Sequence, residues 1–181
     1  VKQEMMMGSD EVRSLKDLYE RYSGPIFGYL IHLSGDYSLA DELTGETFYR
    51  AMLALDSFRG EADVSTWLLR IARNLYFKKV KKERRVASLE ALQERGMAFV
   101  SKKPNPEKIL VQQERSQSIQ QALLSLSESD RSILLLANEA RMRCREIAKV
   151  LDISVSAVKV RLYRARRRLA VALNAEEGWN P

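Results

Sequence analysis

The chain has one cysteine and one histidine in 181 residues. Cys144 alone cannot form an intramolecular disulfide, which fits a reducing compartment. With only His32 beside it there is no His/Cys cluster, so no zinc site is expected. Carboxylates fall at helix starts or on polar faces without a His, Cys or metal partner, which argues against an enzyme. No apolar run approaches the ~20 residues of a transmembrane helix. The opening VKQEMMMGSD lacks the apolar core of a secretory signal. Strand signals are also missing: short apolar runs continue at helical spacing. The expectation is an all-α cytoplasmic protein.

What is present is charge, unevenly placed. The total is 30 Lys and Arg against 24 Asp and Glu, a net +6. Residues 1–50 hold five basic and nine acidic side chains, whereas residues 51–85 hold nine and four. Residues 86–117 are nearly balanced, and residues 118–181 carry eleven basic against seven acidic. An acidic first part, a basic middle and a basic end predict two nucleic-acid surfaces and one surface for another partner.

Helical periodicity runs through most of the chain. Ser9 caps a first helix whose face is Val12, Leu15, Leu18, Tyr19 and Tyr22; Gly24-Pro25 bends or breaks it, and Ile26, Phe27, Leu30 and Leu33 continue. His32 lies among these apolar residues and reads as a surface or satisfied core histidine. Gly35-Asp36 is a turn. Ser38 to Asp41 resembles a capping box opening a helix from about Leu39 to Leu55. Its buried face is Ala40, Leu43, Thr47, Ala51 and Leu55, with Phe48 at the margin. Asp41, Glu42 and Glu46 cluster on it, either as a solvated face or as a dock for a basic partner.

DSFRGEADVST, residues 56–66, reads as a loop. The next helix starts near Asp63 or Ser65, with Val64, Trp67, Leu68, Ile71, Ala72 and Leu75 as a clean apolar stripe. Arg70, Arg73, Asn74 and Lys78 share this helix, followed by KKVKKERR, in which six of eight residues are basic. Such residues beside Trp67, Tyr76 and Phe77 suit phosphates and unpaired bases, although Trp67 itself reads as core. Periodicity weakens from Val86 to Lys103. Asn105-Pro106 then starts a helix to about Leu124, and Ser127 to Asp130 caps another carrying Ile133, Leu134, Ala137 and Ala140.

Residues 144–169, CREIAKVLDISVSAVKVRLYRARRRL, complete the chain's logic. Ile147, Ala148 and Leu151 mark a short helix, which Asp152 and Ile153 interrupt. Ser154 or Ser156 caps a second helix with Val155, Val158, Leu162, Ala165 and Leu169 inside. Its other side bears Lys159, Arg161, Arg164, Arg166, Arg167 and Arg168, with no acid among them. A short helix, a tight turn and a basic second helix form the pattern of a helix-turn-helix whose second helix enters a major groove.

Four segments in this order resemble the extracytoplasmic-function group of bacterial sigma factors. LADELTGETFYRAMLAL resembles the helix that docks on core RNA polymerase. FRGEADVSTWLLRIARN resembles the loop and helix that open promoter DNA and hold the −10 element. LSESDRSILLL and EIAKVLDISVSAVKVRLYRAR resemble the domain whose helix-turn-helix reads the −35 element. The resemblance implies two small helical domains joined by a linker: a tail at 1–8, a first domain at 9–86, a linker at 87–105, a second domain at 106–174 and a tail at 175–181. It implies core polymerase contact by Asp41, Glu42, Leu43, Glu46, Phe48 and Arg50. It implies −10 recognition and melting by Phe58, Arg59, Gly60, Glu61, Thr66, Trp67, Arg70, Arg73, Asn74 and Lys78. Contacts to −35 DNA fall to Ser154, Ser156, Ala157, Lys159, Val160, Arg161, Tyr163, Arg164 and Arg167.

The resemblance also implies duplex and single-stranded promoter DNA as partners, an anti-sigma factor, often membrane-anchored, as a restraint, and no need of a cofactor. No direct membrane binding is expected. Departures from the family pattern are Gly45 for a usual Gln, Arg143 for a capping Ser or Thr, and Ala157 and Val160 for Thr and Ser on the recognition helix. Without the resemblance, a helix-turn-helix regulator that never binds polymerase explains residues 144–169 but leaves residues 36–85 without a purpose.

Overall fold

In the computed structural model, which describes residues 15–55, 63–93 and 113–176, the described residues form seven helices and no strand. The all-α expectation holds. The first unit comprises α1 (Leu15–Ser34), α2 (Tyr37–Ala54) and α3 (Val64–Gln93). The second comprises α4 (Gln113–Ser125), α5 (Glu128–Asn138), α6 (Cys144–Leu151) and α7 (Val155–Glu176).

Helix α1 runs unbroken through Pro25, contrary to the expected break. Gly24 and Pro25 both lie on its exposed side, where solvent can take the carbonyl that a proline leaves without its amide partner. The opposite side buries Leu18, Ile26, Tyr29, Leu30 and Leu33. Gly35 ends the helix in the left-handed region (φ 72°), and a Cβ there would lie 3.0 Å from Leu124. Glycine is needed both for the turn and for the close approach of the second unit.

The cap of α2 is Asp36, not Ser38: its carboxylate accepts from the Leu39 amide at 3.0 Å. The helix therefore starts at Tyr37. Its buried face is Ala40, Leu43, Thr44, Thr47, Phe48 and Ala51. Thr44 and Thr47 reach this interior because their hydroxyls donate to the Ala40 and Leu43 carbonyls. Phe48 is buried rather than marginal, and Tyr19 packs on it edge to face at 4.9 Å. Asp63 opens α3 by accepting from the Ser65 amide and hydroxyl. The helix is 30 residues long, ~45 Å at 1.5 Å per residue, and continues past residue 86 through residues expected to belong to the linker. The expected helix start at Asn105 lies outside the described residues.

The two units share one core. A single buried cluster runs from Leu18 and Leu68 through Ile133 and Leu136 to Val158 and Ala165. Because α5 lies between α1 and α7, its residues 131–136 are all buried and it lacks a polar face along that stretch. Helix α3 packs on α1, α2 and α6, and Leu69 and Tyr76 are buried along with Val64, Leu68, Ala72 and Leu75 of the expected stripe. Tyr76 is therefore core rather than a platform for bases, and burial, with Glu128 nearby, pushes its phenol up to about 12.

Polar contacts stitch the units together. The Tyr29 hydroxyl meets Ser132 Oγ at 2.8 Å in the interior. Arg131, 6% exposed, donates from Nη1 to the Leu33 carbonyl at the end of α1, and to the carbonyls of Leu123, Leu124 and Leu126 at the end of α4. Its positive charge suits two helix C-termini, where dipole and unpaired carbonyls are both negative.

Candidate polymerase and DNA interfaces

The acidic group on α2 is already partnered inside the chain. Glu42 accepts from Lys79 of α3 at 2.6 Å, and Glu46 from Arg50 at 2.7 Å. Asp41 is exposed. Leu43 and Phe48, expected at the polymerase contact, are 3% and 4% exposed; they hold α2 in place rather than offer a surface. The outer face of α2 instead presents Asp41, Gly45, Tyr49 and Leu53, spaced at i, i+4, i+8 and i+12. Tyr49 and Leu53 are 54% and 67% exposed, and Tyr19 and Met52 flank them. Between α1 and α2 lies an apolar groove of about 480 Å³ lined by Lys16, Tyr19, Glu20, Phe48, Tyr49 and Met52. The sequence signal for this face was apolar residues out of phase with the buried stripe. A Cβ on Gly45 would meet nothing within 4 Å, so this glycine costs α2 ~0.5–1 kcal/mol of propensity with no packing reason.

On α3, Arg70, Asn74 and Lys78 are exposed at i, i+4 and i+8. Trp67 is partly buried against the core. Thr66 is 2% exposed, and its hydroxyl is buried without a hydrogen-bond partner. Arg73 is half-buried, with its guanidinium over the Phe77 ring at 4.5 Å. Its Nε is likewise buried and unpartnered. Burial lowers the Arg73 pKa, with Arg161 of the second unit adding like-charge repulsion. Phe58, Arg59, Gly60 and Glu61 lie outside the described residues.

The turn of the second unit is built from α6 and α7. Arg143 takes the cap position of α6 and has no side-chain acceptor to give; Glu146 supplies the bond, accepting from the Arg143 amide at 2.6 Å. This is half of a capping box. Ile147, Ala148 and Val150 are buried, so Val150 takes the place expected of Leu151, which is only partly covered. Asp152 ends α6 at φ 54°, ψ 50°, a conformation that aspartate tolerates better than most non-glycine residues. Ser154 then caps α7, accepting from the Ala157 amide at 3.2 Å, while Ser156 Oγ sits 2.9 Å from Ser154 Oγ.

Helix α7 buries Val158, Leu162 and Ala165. It leaves Lys159, Val160, Arg161, Tyr163, Arg164, Arg166 and Arg167 exposed, with Ala157 partly covered. Arg168 is drawn aside by Asp130 of α5. Tyr163 and Val160 are 63% and 49% exposed. An exposed basic helix with apolar side chains among its cations, set one turn from a shorter helix, has the form that reads duplex DNA from the major groove.

Two helical domains, one ending in an exposed helix-turn-helix, thus define a DNA-binding protein of two parts. Comparison with known proteins assigns both parts. Residues 18–86 match the sigma-70 region 2 family and residues 116–169 match sigma-70 region 4. RNA polymerase sigma factor YlaC of Bacillus subtilis is 31% identical over 156 residues, 86% of this chain and 90% of that protein. The extracytoplasmic-function sigma factor SigW of the same organism is 31% identical over 160 residues, covering 84% and 85%. The sigma factor RpoE of Bartonella quintana, solved with the anti-sigma factor NepR, shares the fold with a TM-score of 0.70 at 24% identity, over 88% of this chain and 96% of that one. CnrH, solved with the cytosolic domain of CnrY, aligns with a TM-score of 0.63 at 25% identity over 89% and 88%.

The chain belongs to the extracytoplasmic-function sigma factors of the sigma-70 family. Its function is that of a sigma factor, directing RNA polymerase to promoters. A regulator that ignores polymerase is disfavoured by the region 2 match, which accounts for the first domain.

Proposed function

We propose that the outer face of α2 docks on core RNA polymerase, that α3 and the segment before it hold and open the −10 element, and that the first half of α7 reads the −35 element. The observation that carries this reading is that both basic helices keep a polar face open: Arg70, Asn74 and Lys78 on α3, and Lys159, Arg161, Tyr163 and Arg164 on α7. On α2 the contact is made by Asp41, Tyr49 and Leu53, while Glu42 and Glu46 remain tied to Lys79 and Arg50. Opening a duplex costs a few kcal/mol per base removed from its stack, and capture of an extruded base offsets that cost.

The protein acts in the cytoplasm, where polymerase and promoter are. Among the described residues no helix is long and apolar enough to cross a membrane. An anti-sigma factor restrains it, as the solved complexes of RpoE with NepR and CnrH with CnrY support for relatives. Ala157 and Val160 supply no hydroxyl to the DNA; Val160, half exposed, suits a thymine methyl.

Replacing Arg164 with alanine tests the −35 assignment. Loss of one side chain at a base edge costs ~1–3 kcal/mol, so affinity for the upstream duplex should fall roughly five- to 150-fold. Binding to core polymerase should be unchanged. Filter binding to the upstream duplex and gel filtration with core separate the two. An unchanged duplex affinity removes Arg164 from the reading set, and loss of both activities contradicts the separation of surfaces.

A further inference from the structure

The two domains meet where α1 lies against α5. The shared core holds them together. Tyr29 with Ser132 and Arg131 with the Leu33 carbonyl supply fixed contacts, neither of which changes charge near neutral pH.

A third contact does change. His32 of α1 places Nδ1 2.8 and 2.9 Å from the two carboxylate oxygens of Glu139, at the end of α5. Gly28 makes room for it: a Cβ there would come within 3.1 Å of the same carboxylate.

We propose that the α1–α5 contact is a latch that keeps the two domains of the free protein closed on one another, and that the latch loosens when His32 loses its proton. Among the described residues, Glu139 is the charged group set against the His32 ring. From α4 the neutral Gln120 amide donates to the His32 carbonyl at 3.4 Å. The hydrogen bond to Glu139 holds the His32 pKa above its usual value, burial opposing it. A group whose pKa is raised on closure stabilises closure fully below its open-state value near 6.5, and that contribution is lost as pH rises through the closed-state value. The pair is half exposed, 45% and 35%, so the change is modest, about two- to fivefold in the closed-to-open ratio.

Energy transfer in the full chain between dyes on Glu20→Cys and Arg166→Cys, in a Cys144→Ser background, reads the separation of the domains. Raising pH from 5.5 to 8.5 should lower the closed-to-open ratio about two- to fivefold. Glu139→Gln keeps the size and hydrogen-bonding capacity of the side chain but not its charge. It should hold the ratio at the high-pH value throughout, and His32→Gln should do the same. A ratio that does not move with pH in the parent overturns the latch, as does a pH response that survives in Glu139→Gln. Either outcome leaves the sigma reading intact, because polymerase binding is measured separately.

Discussion

Replacing Arg131 with methionine is expected to lower the free energy of unfolding by about 2–5 kcal/mol. Methionine fills similar space but donates nothing. Four carbonyls lose their partner: Leu33 at the end of α1, and Leu123, Leu124 and Leu126 at the end of α4. A buried acceptor left dry costs ~1–3 kcal/mol, and those nearest the surface recover part of that from water. Lysine is a poor substitute despite its charge, since one ammonium cannot reach carbonyls on both helices as the guanidinium fork does. Urea unfolding followed by helical signal measures the change, with the midpoint falling at little altered slope. A loss below about 1 kcal/mol would mean that the carbonyls find other partners and that the domains are not joined through this residue.

The second large effect concerns the face of α2. Tyr49→Ala combined with Leu53→Asp should weaken binding to core polymerase about a hundredfold. Central aromatic and apolar anchors of an interface are commonly worth 1–2 kcal/mol or more each, and an aspartate in place of Leu53 adds desolvation of a charge. Both residues are more than half exposed, so stability should move by no more than ~0.5 kcal/mol. Titration of labelled core with each variant gives the affinity. The charge-reversing pair Asp41→Lys and Glu42→Lys should have a smaller specific effect, since Glu42 is engaged by Lys79. Equal affinity of the Tyr49/Leu53 variant and the parent would move the dock off this face.

These two expectations mark where the sequence was legible and where it was not. Val64, Leu68, Ala72 and Leu75 on α3, and Val158, Leu162 and Ala165 on α7, recur at helical spacing and are buried as that spacing implies. Ser127 as a cap and the break at Asp152 were equally readable, because their local chemistry suffices. Most of the failures come from contact between distant segments. Nothing near Arg131 in sequence announces that its guanidinium joins two helix ends, one of them 98 residues away. Tyr76 looked like an aromatic beside a basic run, and only the second domain closing on α3 makes it core. Pro25 looked like a break, and its exposure on the solvent side lets the helix pass. Leu43 and Phe48 belonged to the docking segment by resemblance; their burial shows that the segment's inner residues set the pose of its outer ones.

The separation of roles leads to one direct test. Core polymerase lacking any sigma factor is incubated with the purified chain and a pool of random promoter-length duplexes, and the transcripts are sequenced. The account predicts initiation only when the chain is added, from templates that share one −35-like and one −10-like element, with the first element's preference altered by Val160→Ser and core binding unaffected. Transcripts no more abundant or more selective than those of core alone would contradict it.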